Sequence, residues 1–133
     1  MSHRLKAILA GAALAGAGLL PATAAHAEPR PASVLACYDH AHSYSKPSGS
    51  FAYPTGAGYL TTTSACSDIN LRPNTNRYVR VCFLPDAGGY YCQSSYKLAT
   101  GGQWNVIATN VANSTDFWFD FRSDAQSSGS WAA

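Results

Sequence analysis

The sequence predicts an all-β fold: a small antiparallel β-sandwich held by two disulfides, with a small β-barrel as the alternative closure. Three observations carry that prediction. Beyond the N-terminal leader, no segment of about ten residues or more carries the 3.6-residue apolar period of a helix. Six short segments rich in Val, Ile, Thr, Tyr, Phe and Trp recur along the chain, separated by Gly, Pro, Asn and Ser. Four cysteines lie in a short chain that carries an export leader, where an even count reads as disulfides.

The leader comes first. Residues 1–27 combine a basic start (His3, Arg4, Lys6), an apolar run over 7–20, Pro21 and a small-residue ending at Ala25, His26 and Ala27. This is the pattern of a signal peptide cleaved before Glu28. The apolar run is short and rich in Ala and Gly, and no second run of about 18 apolar residues follows, so no membrane insertion is expected. What remains is one secreted, extracellular domain over 28–133, with a proline-rich, flexible start over 28–33.

Strands are then expected over 34–39, 59–63, 78–84, 90–98, 104–109 and 116–122, and a loop rich in Ser, Pro, Gly and Tyr over 42–58. Reversals fall at 72–76, 86–89, 100–102 and 112–114, where Gly, Pro, Asn and Asp gather. A hairpin centred on Ala87 sets Cys82 opposite Cys92, at the roughly 4.5 to 5.5 Å Cα separation that a disulfide can bridge. Cys37 then pairs with Cys66. Zinc is the rival use of Cys37, His40 and His42, but no CxxC or HxxxH spacing is present and export implies an oxidising compartment. Neither metal nor cofactor is expected.

Charge narrows the partners. The formal net charge of +2 rests on Arg4 and Lys6 in the leader, and without them seven basic residues face seven acidic ones. A neutral domain lacks the broad cationic surface that nucleic acid or an anionic membrane selects.

The most informative segment is 116–122. Its period of two sets Phe117, Phe119 and Phe121 on one face and Asp116, Trp118, Asp120 and Arg122 on the other. If the phenylalanines face the core, Trp118 faces away between two carboxylates. Such a surface suits stacking on a sugar ring or anchoring a protein partner. Tyr44 and Tyr53, in the loop rich in Ser and Gly, are further candidate ligand-binding residues, since a rigid ring beside small neighbours is adaptable recognition chemistry.

Catalysis finds less support. Glu28 is the sole glutamate, and Asp116 and Asp120 would lie about 13 Å apart along one strand, too far for an acid and nucleophile pair. Asp39, His40 and His42 with Ser43 or Ser45 are adjacent in sequence, whereas a triad converges from separate elements. There is no GxSxG, P-loop or HExxH.

Several segments carry a resemblance: Cys66 to Asn70, Arg77 to Phe83, Trp104 to Thr109, Phe121 to Ala125, and the ending Trp131, Ala132, Ala133. In these the C-terminal half resembles small secreted two-disulfide proteins of actinomycetes. The resemblance implies export, a compact disulfide-bonded domain and a bacterial source. It transfers no functional residue. The expected function is therefore a secreted binding module for polysaccharide or cell-wall material. The alternative is an inhibitor or toxin-like protein that acts on another extracellular protein through the 43–58 loop. An enzyme stands third.

Overall fold

The computed structural model describes residues 32–133, so the expected signal over 1–27 and the proline-rich 28–31 lie outside the described residues. In chain order come one helix, α1 (Ala32–Asp39), and strands β1 (His42–Lys46), β2 (Ala52–Tyr53), β3 (Leu60–Thr61), β4 (Ile69–Pro73) and β5 (Arg77–Leu84). The second half adds β6 (Tyr91–Cys92), β7 (Lys97–Ala99), β8 (Asn105–Ala108), β9 (Asp116–Phe121) and β10 (Ser127–Ala132). One sheet has the order β1-β10-β4-β8 and the other β2-β9-β5-β6, with β3 also paired to β9 and β7 to β5. All pairings are antiparallel, so the fold is the all-β sandwich that the composition predicts.

The core lies between the sheets. Ile69, Leu71, Ile107 and Trp131 from the first sheet meet Val79, Val81, Phe117, Phe119 and Phe121 from the second. Burying each large side chain contributes about 1.5 to 3 kcal/mol, and the alternation along β9 ties that gain to one register. Phe117 meets Trp131 edge to face with ring centroids 6.1 Å apart, so Trp131 belongs to the core.

Both expected disulfides are present. Cys82 and Cys92 are directly opposed on β5 and β6, and Cys37 is joined to Cys66. Gln93, just past Cys92, links the two sheets: its Oε1 accepts from Val81 N–H at 2.9 Å and its Nε2 donates to the Ile107 carbonyl at 2.9 Å. The expected strand over 90–98 is two short strands, β6 and β7, separated by a bend just past Cys92.

Three other expectations are corrected. Residues 34–39 are helical and belong to α1, whose Ala and Leu favour helix over strand. Two turns are too short to display a 3.6-residue period. The helix is fixed from outside by the Cys37–Cys66 bond and by Tyr38 stacked on Trp104 at 4.5 Å. Residues 42–46 are strand β1, not loop, with Tyr44 and Lys46 turned inward. Strands β4 and β10 were not expected, and β10 runs between β1 and β4 despite its Ser and Gly content. Gly129 is needed in β10 because a Cβ there would run into the Arg72 carbonyl and Pro73 of β4.

Lys46 is fully buried. Its ammonium donates to the carbonyls of Ser50 and Ala125, each at 2.5 Å, and lies 5.1 Å from the Phe121 ring centroid. The cation thereby clamps the β1–β2 connection to the β9–β10 connection at one end of the sandwich. Burial is the main cause that pulls its pKa below the ordinary 10.5, with Arg77 adding to the effect and Asp124 opposing it.

Two outcomes are expected. Phe119→Ala opens a core cavity and lowers unfolding free energy by about 3 to 5 kcal/mol, read from chemical denaturation. For Lys46, the unfolded chain holds the proton more tightly than the folded one between the lowered folded pKa and 10.5, so this group makes stability rise with pH across that window. The stability difference between the parent and Lys46→Met should therefore shift in the parent's favour as pH rises toward 10.5, and a pH-independent difference would contradict the assignment.

Candidate functional site

The outward face of the second sheet is assembled by the pairing of β5 with β9. Because opposed residues share a face, the register Leu84↔Asp116, Cys82↔Trp118 and Arg80↔Asp120 builds rows across the two strands. Phe117, Phe119 and Phe121 are buried while Asp116, Trp118 and Asp120 are partly exposed, and Arg122 just beyond the strand is exposed. The four residues expected on one face of this strand therefore do share it.

At one end, the Asp116 carboxylate accepts a hydrogen bond from the Thr61 hydroxyl at 2.7 Å. Next comes Trp118, whose ring meets the exposed Tyr90 at 5.1 Å and a steep angle. Trp118 forms one wall of an open depression of about 230 Å³, completed by Ala52, Gly56, Ala57, Gly58 and Leu84. The small residues of the 56–58 turn leave room beside the indole for an apolar, flat group.

The middle row is a polar network. Arg80 Nε donates to Asp120 Oδ2 at 2.7 Å, and the Tyr96 hydroxyl donates to the same oxygen at 2.9 Å. The Arg80 guanidinium lies over the Tyr96 ring at 4.6 Å and donates from its Nη1 to the Gln93 carbonyl. The hydrogen bond to Asp120 raises the Arg80 pKa, and burial followed by that same carboxylate raises the Tyr96 pKa. In a partly exposed pair the ion pair contributes only about 0 to 1 kcal/mol, so its effect is to orient these side chains. In the last row the exposed Arg122 sets its guanidinium over Tyr78, 3.6 Å from the ring centroid, beside the exposed Leu98.

Tyr44 and Tyr53 are not part of this surface. Tyr44 is 3% exposed, its hydroxyl is hydrogen-bonded to Ser127 Oγ at 2.8 Å, and burial raises its pKa. Tyr53 is half-buried and packs against Tyr44 with ring centroids 5.4 Å apart. The loop composition misled because Ser43 and Ser45 point outward on β1 while Tyr44 and Lys46 point inward, and Tyr53 on β2 packs against Tyr44. Conversely, Tyr78, Arg80, Tyr90, Tyr96 and Leu98 belong to the face without having been singled out. Their signal was the second alternation, Tyr78, Arg80, Cys82 and Leu84 against Val79, Val81 and Phe83, read across to β9.

Elsewhere, His40 and His42 are exposed at the end of α1 and border a shallow depression with Thr63 and Ser64. His42 stacks on Trp131 at 4.7 Å. Among the described residues the one grouping of metal-type ligands is Cys82, Cys92 and Asp120, and both sulfurs are spent in the disulfide. Comparison with protein-family models, curated proteins and solved structures finds no match.

The middle row yields its own expectation. Asp120→Asn removes the charge that holds Arg80 and Tyr96, so the Tyr96 hydroxyl should titrate at lower pH than in the parent, followed by absorbance in a background where the other tyrosines are assigned. An unchanged Tyr96 titration would mean that the network does not form.

Proposed function

We propose that this chain is an exported glycan-binding module whose outer β5–β9 face recognises polysaccharide or cell-wall material. The observation that carries the reading is Trp118, partly exposed in an open depression of mostly small residues, with the exposed Tyr90 against its ring. An indole with one accessible side offers the flat apolar surface on which the C–H face of a sugar ring stacks. The Arg80–Asp120–Tyr96 network offers donors and acceptors, held in place beforehand, to the ring hydroxyls. Both of the hydrogen bonds to Asp120 fall on Oδ2, which leaves Oδ1 to a ligand hydroxyl.

Export is part of the proposal. Two disulfides support passage through an oxidising compartment, and among the described residues no helix is long and apolar enough to cross a membrane. The inhibitor reading loses most of its inserting element, because 42–46 and 52–53 are paired strands and Lys46 ties down the connection between them. Phe51 is its remaining exposed aromatic, with the exposed Tyr59 just past its end.

Pull-down on a set of insoluble glycans tests the reading. Retention is expected for the parent, and Trp118→Ala should keep the fold and weaken retention by about 2 kcal/mol or more. If Trp118→Ala unfolds the chain as Phe119→Ala does, Trp118 is core. If it folds and binds as the parent does, the face is not the glycan site.

A further inference from the structure

The face continues past the end of β9. The Arg122 N–H donates to the Tyr78 carbonyl at 3.0 Å, which keeps the backbone in line with β5 and aims the next outward side chain over the Tyr78 ring. With its guanidinium carbon 3.6 Å from the Tyr78 ring centroid, Arg122 is an exposed cation anchored on a ring, and a guanidinium can receive a carboxylate through two parallel hydrogen bonds. Among the described residues Arg122 has no carboxylate in an ion pair.

A second cation stands beside it. Arg77 donates from Nη1 to the Asn76 carbonyl at 2.8 Å and from Nη2 to the Gln126 carbonyl at 2.7 Å, so its charge is held in place but not neutralised. Its Nε is buried and unpartnered. Together the two arginines border an open depression of about 190 Å³ whose other walls are Asn76, Tyr78, Leu98 and Ser123. No acid lines it. Of the nearby acids, Asp120 is held by Arg80 and Tyr96, and Asp124, exposed on the β9–β10 connection, is not among the residues that line the depression. In a domain that is neutral as a whole, this is a local excess of positive charge at the end of the face that carries Trp118.

The spacing adds a constraint. Trp118 and Arg122 are four residues apart on one strand line, about 13 Å. A single sugar ring cannot reach both, whereas an oligosaccharide laid along β9 can.

Resting on the glycan-binding reading, we propose that Arg122, supported by Arg77, binds a carboxylate of an acidic polysaccharide while a nearby sugar of the same chain lies against Trp118. The ligand class is thus a uronic-acid-type polymer. Long-range attraction from the pair of guanidinium groups brings the chain in, and the planar fork over Tyr78 fixes its register.

Calorimetric titration of the secreted protein tests this with polygalacturonate, alginate and hyaluronate. Each is set beside its methyl-esterified form, and poly(glycerol phosphate) is run in parallel. Binding to at least one carboxylated chain is expected, falling with added salt and with esterification. Arg122→Gln, shown to be folded by its thermal midpoint, should weaken that binding by about tenfold or more, a clearly larger loss than the esterified chain suffers. Trp118→Ala should weaken both. Equal binding of charged and esterified chains, or no effect of Arg122→Gln, overturns the carboxylate site while leaving the Trp118 surface standing. Preference for poly(glycerol phosphate) overturns the choice of carboxylate. No binding to any chain in either form overturns the glycan reading as well.

Discussion

The pairing of β9 with β5 is the constraint on which both the core and the candidate site depend. Six consecutive opposed pairs, from Val79↔Phe121 to Leu84↔Asp116, fix which side chains face inward. A slip of one residue would drive Asp116, Trp118 and Asp120 into the apolar interior and expose three phenylalanines, a change far larger than the whole net stability of a small domain. The same energy that holds the core therefore holds the row Trp118, Asp120, Arg122 on the outer face. Recognition chemistry on that face needs no separate scaffold.

Around this pairing the sandwich is completed by polar links that are legible only in three dimensions. Gln93 ties β5 to β8 through one amide, so two backbone groups at the margin of the sheets find partners. Lys46 caps one end of the core with a cation that two carbonyls hold in place. Asn105 does comparable work at the turn before β8, donating to the Leu71, Thr100 and Gln103 carbonyls and accepting from Thr100 N–H. Each of these side chains is long or branched enough to reach across elements, and each would leave buried backbone groups unsatisfied if truncated.

What could be read from the residues alone follows from how strongly each element declares its period. Strand β9 sets a phenylalanine at every second position, with Asp116, Trp118 and Asp120 between, so its two faces were clear, and the spacing of Cys82 and Cys92 around a turn of Pro, Asp and Gly set the neighbouring register. Helix α1 was opaque because eight residues span two turns and its packing depends on a disulfide and a stacked Trp104 far away in sequence. Strand β1 was hidden because its inward residues are Tyr44 and Lys46, whose polar ends suggest exposure. Strand β10 was hidden for the opposite reason: Ser127, Ser128, Gly129 and Ser130 suggest a loop, yet close approach to β4 demands such small residues. The candidate site was legible to the extent that it lies on β9, and its partners on β5, β6 and β7 required the register.

The central claim is that the outer β5–β9 face is the binding surface. Mapping backbone amide shifts of the labelled protein, as a soluble oligosaccharide from a retained glycan is added, tests it most directly. The account predicts perturbations concentrated at Arg80, Tyr90, Tyr96, Trp118 and Arg122, with α1 and the first sheet unchanged. Perturbations gathered instead around His40, His42 and Thr63, with the β5–β9 face silent, would contradict it.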